Sequence, residues 1–146
     1  MKFVKTKNAT VGLLLLLALT VQAVDLPQQK LGLWQRTTQT TEDGKTEAPE
    51  KSQRCVDAHT LETVMKATAD AAKMCARHDI RQVGGKWIED SVCNLGTTTL
   101  TLHGEIVMKG DIEYHSETDS TYSPALHGAH SHTVTDGVWL GPCSRK

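Results

Sequence analysis

Aromatic side chains are scarce in this sequence of 146 residues, which has three tryptophans, two tyrosines and one phenylalanine. The interior must therefore be built mostly from aliphatic residues, which makes a lean core. A surplus of basic residues is also missing, because 16 Lys and Arg face 17 Asp and Glu. Nucleic acids and anionic membrane surfaces both favour a basic partner, so the charge balance argues against either class of partner.

The motifs of several enzyme classes are missing too. There is no G-x-S-x-G nucleophile elbow and no H-E-x-x-H zinc motif. No glycine-rich loop joins a predicted strand to a predicted helix, so a phosphate-binding loop has no support. Glu89 and Asp90 are adjacent in a predicted strand and face opposite ways, which does not suit paired acid–base chemistry. The sequence therefore predicts a protein that is not an enzyme and that uses no cofactor.

One long apolar run lies near the amino terminus, over residues 11–19. Lysines precede it, and Val21-Gln22-Ala23 follows it with small residues of the kind that signal peptidase reads. This is the plan of a secretory signal peptide, and the run is shorter than the roughly 20 residues that a membrane span needs. We therefore expect residues 1–23 to be a cleaved signal peptide. Residues 24–146 should then form a single exported domain with no stable membrane insertion.

All four cysteines lie in the expected mature domain, at Cys55, Cys75, Cys93 and Cys143. An even number in an exported domain indicates two disulfides, and the spacing fits neither a C-x-x-C redox pair nor a structural zinc site. Cys55 and Cys75 bracket the predicted helix, which favours the pairs Cys55–Cys75 and Cys93–Cys143. The competing pair is Cys75–Cys93, across a predicted hairpin. With a two-residue turn these two cysteines miss being opposite by one residue, which puts their side chains on opposite faces; a three-residue turn would remove the offset.

Local patterns predict one helix and a series of strands. The helix covers residues 57–74, where Asp57 is a good N-cap and apolar residues recur at spacings of three and four. Gly84-Gly85 separates two strand-like runs and predicts a tight hairpin turn. A later run alternates on one face and includes Gly104, which suggests a bulge or bend; its apolar residues are Leu100, Leu102, Ile106 and Met108. The predicted strands are 31–41, 52–56, 78–83, 86–93, 97–108, 112–122 and 132–140.

The order of a strand, a helix and then several strands is typical of an α+β domain. We expect a curved antiparallel β-sheet, either a partial barrel or a meander, with one α-helix that closes a face or an end of the sheet. A sheet of this shape encloses a concavity, and such concavities often bind apolar ligands. The apolar face of residues 100–108 would either line such a concavity or simply form the core.

Several short strings occur along the chain in the order found in a known family. The domain opens with Lys30-Leu31-Gly32-Leu33-Trp34 and closes with Trp139-Leu140-Gly141-Pro142-Cys143; between them lie Cys55, Cys93-Asn94-Leu95-Gly96, Gly110-Asp111 and Tyr114. Over nearly the whole mature chain these strings resemble the exported bacterial domains of unknown function called DUF 3617. One departure is Leu31, where many relatives have proline. The resemblance implies the periplasm of a Gram-negative bacterium and two disulfides, and it implies no activity because none is established for the family.

Two tryptophans, Trp34 and Trp139, lie near the two ends of the predicted domain. Both are expected to be core anchors, each with a hydrogen-bond partner for its indole N–H. We therefore expect the first and last strands to pair with each other and to help close the sheet.

Histidines cluster late in the chain as H-x-x-H-x-H, at His127, His130 and His132, with His115 and Asp136 not far away. Imidazole nitrogens are good ligands for zinc, copper and nickel. The same segment has the serines, glycine and proline of an ordinary exposed loop, and its spacing has no fixed metal geometry. The three histidines are therefore candidate ligands for zinc or copper, weighed against a plain solvated loop.

Binding is the class of function that these observations favour. We expect a non-enzymatic domain that binds a small or lipidic ligand or an envelope protein, and the sequence identifies neither. Metal binding through the three histidines is the alternative, and a hydrolase is the least favoured function because no catalytic constellation is visible.

Overall fold

The computed structural model describes residue 27 and residues 29–144. The predicted signal peptide, residues 1–23, lies outside this part of the chain. Within it, the chain forms one helix and eight strands. In chain order these are β1 (Gly32–Glu42), β2 (Lys45–Thr46), β3 (Glu50–Val56), α1 (Ala58–Ala72), β4 (Cys75–Val83), β5 (Lys86–Asn94), β6 (Thr99–Lys109), β7 (Glu113–Ser123) and β8 (His130–Gly141).

All eight strands belong to a single antiparallel sheet. The strand order is β2-β1-β8-β7-β6-β5-β4, and β3 also pairs with β1. Because β8 occupies one side of β1, β2 and β3 share its other side. β3 and β4 therefore lie at opposite edges, and the sheet is not closed into a barrel. The predicted α+β fold with an unclosed antiparallel sheet is confirmed, as is the pairing of the first strand with the last.

The register of the strands divides the side chains between two faces, because directly opposite residues point to the same side. We call the face that carries Trp34 the inner face and the other the outer face. Every inner-face residue of β5 to β8 is buried or half-buried, whereas the outer face is exposed at many positions. Since a single sheet produces this difference, we infer that it curves toward the inner face.

The helix forms where the sequence predicts it but does not cover the sheet. The Asp57 carboxylate accepts a hydrogen bond from the Thr60 amide at 2.7 Å and caps α1. No residue of α1 is buried, and Val64 and Met65 are 47% and 59% exposed. Of the two expectations for the helix, closing a face of the sheet is therefore wrong, and closing an end stays a prediction. The physical reason is topological: α1 joins β3 to β4, which lie at opposite edges of the sheet, and its contacts with the sheet are mainly with the edge strand β4.

Membrane-spanning length is a separate property of the helix. In the described part of the chain, no helix is both long and apolar enough to cross a membrane.

All four cysteines are in disulfides, as predicted, but the pairing differs from the favoured one. The bonds are Cys55–Cys143 and Cys75–Cys93. The hairpin turn at Gly84-Gly85 has two residues, so the expected one-residue offset exists along most of β4 and β5. A bulge between Cys75 and Arg77 then shifts the register by one residue and places Cys75 opposite Cys93. Cys55 lies beside β1, within reach of the segment that follows β8.

Trp34 is the central anchor of a small core. It is fully buried, and its indole N–H donates to the Lys30 carbonyl at 2.8 Å. Trp139 lies directly opposite it, is only half-buried, and donates to the Leu31 carbonyl at 3.1 Å. Gly104 pairs regularly with Glu89 and with Thr118, so a bulge there is wrong, and the alternative, a bend, stays a prediction.

Candidate functional site

The inner face has two chemically different halves. On β1, β8 and β7 it is rich in hydroxyl groups, and these pair across strands: Thr38 and Thr135 are 3.2 Å apart, and Thr40 and Thr133 are 3.3 Å apart, between their Oγ1 atoms. On β4, β5 and β6 the inner face is mostly apolar. The apolar residues that the sequence predicts for β6 lie beside further apolar residues of β5 and β4. The apolar set is Leu100, Leu102, Ile106, Met108, Trp87 and Ile80.

A cleft of about 140 Å³ opens in the middle of this face. Its floor is Gly104, and its walls include Trp87, Ile106 and Ile80 on the apolar side. Ser116 and Thr118 line it on the hydroxyl side, and Pro27 also borders it. The missing side chain at Gly104 contributes to this space. The cleft therefore offers both an apolar wall and hydrogen-bonding groups to a single molecule.

A polar cluster borders the apolar half of the inner face. His78 Nδ1 lies 2.9 Å from Ser91 Oγ, and the Ser91 hydroxyl donates to Glu89 Oε1 at 3.0 Å. The Ser91 hydroxyl thus lies within hydrogen-bond distance of both the imidazole and the carboxylate. Ser91 is also only 4% exposed. A nucleophilic serine needs access to substrate, and the burial of Ser91 is instead typical of a structural polar cluster.

Arg36 brings a positive charge to the inner face. It pairs with Gly137 in β8, and Gly137 pairs in turn with Tyr114 in β7. A Cβ atom at Gly137 would overlap the Tyr114 ring, so the ring lies over β8 toward β1. The ring is also 5.7 Å from that of Trp34. Burial raises the pKa of the Tyr114 hydroxyl, and the nearby Arg36 guanidinium partly opposes that rise.

The outer face carries histidines in three cross-strand pairs with aspartates. Asp90 faces His103, and His115 faces Asp136, each pair with Nδ1 and Oδ1 2.7 Å apart. The third pair, Asp119 and His132, has a distance of 2.9 Å. The hydrogen bond to Asp90 raises the pKa of His103, and hydrogen bonds to Asp136 and Glu117 raise the pKa of His115. The hydrogen bonds to His103 and His115 therefore favour the imidazolium form of these two residues in the folded state.

The stability of the domain should therefore fall between mildly acidic and mildly alkaline pH. A histidine whose pKa is higher in the folded state stabilises fully below its unfolded value of about 6.5, and this contribution is lost as the pH rises through the folded value. We expect the thermal midpoint to decrease from pH 5.5 to pH 8.5, and to decrease less in the variant His103→Gln/His115→Gln. His127→Gln is the control and should retain the wild-type profile. Parallel profiles for the wild type and the double variant would contradict this prediction.

The three histidines of the predicted metal site are divided between a loop and a strand. His130 Nε2 and His132 Nδ1 lie 3.5 Å and 2.9 Å from the same Asp119 Oδ1. His127 lies in the preceding loop and lines a shallow pocket of about 130 Å³ with His130. Asp43 holds the end of this loop by accepting the His130 amide hydrogen bond at 2.9 Å.

Among residues 27 and 29–144, no three histidine, cysteine, aspartate or glutamate side chains are grouped so as to hold a metal ion. Metal binding at His127, His130 and His132 stays a prediction.

Sequence reasoning missed two parts of the inner face. The predicted hairpin at Gly84-Gly85 already places His78 opposite Ser91, so counting outward from the turn would have found that pair. Arg36 follows Trp34 by two residues and so shares its face. The residue type alone gave no reason to expect a charge beside a core tryptophan. The Tyr114 ring depends on Gly137 in another strand, which no local pattern indicates.

Comparison with known proteins gives one match. A family model described as "Protein of unknown function (DUF3617)" matches residues 28–143. No curated protein matches the chain, and no solved structure does.

Proposed function

Because the chain belongs to the DUF3617 family, whose description assigns no function, we propose from the geometry that the inner face binds a small amphipathic ligand. In this proposal the protein is a carrier or a sensor of that ligand and catalyses no reaction. Its two disulfides support a location in an oxidising compartment such as the periplasm.

The observation that carries the proposal is an apolar stripe that the fold leaves accessible. Leu100, Leu102, Ile106 and Met108 are all half-buried, not buried. In an ordinary core a helix or a second sheet would cover them, but α1 buries no residue. A partly accessible apolar surface next to a cleft is typical of a binding site. The expected interpretation of these residues as core alone is therefore the weaker one.

The size and lining of the cleft define the ligand. Its volume, about 140 Å³, is close to that of an engineered apolar cavity of about 150 Å³ that binds benzene. The cleft itself can therefore hold one ring or a short stretch of acyl chain. The apolar wall at Trp87 and Ile106 fits this part, and the hydroxyl groups of Ser116 and Thr118 suit a polar edge.

Filling the cleft from its floor tests the proposal. A Cβ at Gly104 would meet its nearest neighbour at 3.7 Å, which is ordinary contact, so a larger side chain can begin there and extend into the cleft. We expect Gly104→Leu to occupy the cleft and to weaken binding of the fluorescent probe N-phenyl-1-naphthylamine at least tenfold. Thr101→Leu is the matched control, because it adds the same side chain to the exposed outer face of β6. It should bind the probe as the wild type does.

Two results would contradict the proposal. One is that Gly104→Leu binds the probe as well as the wild type does; the other is that Thr101→Leu loses binding equally. Native mass spectrometry of the protein purified without refolding provides a second measurement, and an organic adduct absent from Gly104→Leu is the expected result. An adduct with the mass of one zinc or copper ion, lost in the His127→Ala/His130→Ala/His132→Ala variant, would instead favour metal binding.

A further inference from the structure

The charge on Arg36 has no counterpart in the described part of the chain. Arg36 is half-buried, and its Nε atom is buried without a hydrogen-bond partner. No carboxylate of the described residues forms an ion pair with it, although other arginines and lysines of the sheet, such as Arg81 and Lys86, do have such partners. A partly desolvated charge without a partner is unfavourable. The inner face therefore presents a cation whose partner must come from water or from a ligand.

A second donor lies beside this cation. The Tyr114 ring crosses Gly137, the residue that separates Tyr114 from Arg36 in the register of the sheet. The direction from β7 across β8 to β1 brings the phenol toward the guanidinium. A guanidinium and a phenol together offer several N–H and O–H groups to one group of oxygen atoms. Carboxylates and phosphates are the groups that this donor set recognises.

We propose that Arg36 and the Tyr114 hydroxyl bind the anionic head group, a carboxylate or a phosphate monoester, of an amphiphile whose apolar part lies along the apolar half of the inner face. This inference rests on the proposed function, because it identifies the class of ligand for the same face. Met108 links the two regions, since it pairs with Tyr114 and is the end of the apolar stripe of β6 nearest to Arg36. A chain that starts at Arg36 therefore meets Met108 before it reaches Ile106, which is a wall of the cleft.

The charge distribution also gives the ligand an orientation. Glu89 lies at the cleft and already accepts the Ser91 hydroxyl. An anionic head group next to this carboxylate would be repelled, whereas next to Arg36 it is attracted. Opposite charges at the two sites thus favour one direction of binding, with the head at Arg36 and the apolar end toward Trp87.

Displacement of N-phenyl-1-naphthylamine by amphiphiles of equal chain length tests this inference. The competitors are dodecanoate, dodecyl phosphate, dodecanol and dodecyltrimethylammonium, all below their micelle concentrations. We expect one or both anions to displace the probe at a concentration at least tenfold lower than dodecanol does. The cation should be the weakest competitor. Preference for dodecanoate or for dodecyl phosphate identifies the head group, and either result supports the site.

Matched variants connect the preference to the two residues. Arg36→Gln should lose the preference for the anions over dodecanol while it still binds the probe. Arg54→Gln is the control, because Arg54 lies opposite Trp34 on the neighbouring strand β3 and is exposed; it should retain the preference. Tyr114→Phe keeps the ring and removes the hydroxyl donor. We expect its preference for the anions over dodecanol to be several-fold smaller than that of the wild type. The thermal midpoint of ligand-free Arg36→Gln should not fall, since no ion pair is removed.

The outcomes separate this inference from the proposed function. If the wild-type protein does not bind the probe, the proposed function itself is contradicted. If it binds the probe and dodecanol competes as well as the anions do, the ligand-binding face remains and the anionic class is overturned. An unchanged preference in Arg36→Gln overturns the role of Arg36, and an unchanged preference in Tyr114→Phe overturns that of the hydroxyl.

Discussion

Removing the Cys55–Cys143 disulfide with Cys55→Ser/Cys143→Ser should lower the free energy of unfolding by about 4.5 kcal/mol and leave much of the domain unfolded at 37 °C. The bond closes a loop with a sequence separation of 88 residues, and the entropy that such a cross-link removes from the unfolded chain grows with loop length. The domain has little else to compensate, because the buried apolar residues among those described are only Trp34, Val56 and Cys93. Equilibrium unfolding in urea would measure the loss.

The second disulfide, Cys75–Cys93, is the matched control for this prediction. Cys75→Ser/Cys93→Ser opens a loop with a sequence separation of 18 residues, so the same relation gives a smaller loss of about 3 kcal/mol. The expected order of stability is wild type, then the Cys75/Cys93 variant, then the Cys55/Cys143 variant. The reverse order would contradict the loop-length argument. Peptide mapping that found Cys55 joined to Cys75 would contradict the pairing itself.

Adding a single methyl group at Gly137 should destabilise the domain by about 2–3 kcal/mol, since overpacking a well-packed site typically costs 1–3 kcal/mol. The Cβ of Gly137→Ala would overlap the Tyr114 ring. That ring cannot withdraw freely because it packs at 5.7 Å from the fully buried Trp34. The variant should also bind anionic amphiphiles less tightly, because the displaced ring carries the hydroxyl that we propose binds the head group together with Arg36.

Gly104→Ala shows whether this effect is specific to Gly137. Both glycines are buried in strands of the inner face, but a Cβ at Gly104 meets nothing closer than 3.7 Å. Replacing a strand glycine by alanine without a clash stabilises by about 0.4–1 kcal/mol. In a Tyr114→Ala background, Gly137→Ala should cost almost nothing further, and a double-mutant cycle measures this coupling. Equal losses at the two glycines would rule out the ring overlap as the cause.

The elements of the fold were predictable from the sequence because their signals are local. The N-cap Asp57, the Gly84-Gly85 turn and the alternation of residues 100–108 each depend on a few neighbouring residues. The structure has the helix, the hairpin and the strand at those places. Pairing of the first strand with the last was also predictable, because two tryptophans near the ends of the domain both needed burial. These signals report which faces are apolar and where the chain turns.

The packing of the helix and the disulfide pairing were not predictable in the same way. One extra residue, Ala76, inserts a bulge in β4 and moves Cys75 opposite Cys93. Alanine at position 76 is not a residue type that indicates a bulge. The apolar stripe of α1, with Val64 and Met65, has the spacing of a packed helix, yet the helix is held beside the sheet edges by its connections. Such features depend on pairings between distant segments, and a local pattern does not contain them.

The candidate site was partly predictable for the same reason. The apolar stripe of β6 follows from its own alternation, and it does line one face as predicted. The partners of that stripe on β7 and β8, and the proximity of Arg36 to Tyr114, require the strand order. In particular, Gly137 matters only because Tyr114 comes from the adjacent strand and covers it.

The position of β8 in the sheet determines the order in which the cysteines can find their partners. β8 lies between β1 and β7, so a chain that emerges amino terminus first can form β1–β3 and β4–β7 only as separate pieces. Cys55 and Cys75 then emerge first, and oxidising them consecutively would produce a non-native bond. The native bonds are nested, with Cys75–Cys93 inside Cys55–Cys143. A chain oxidised before Cys143 is available can therefore pair Cys55 only with Cys75 or Cys93, and it then reaches the native bonds by thiol–disulfide exchange.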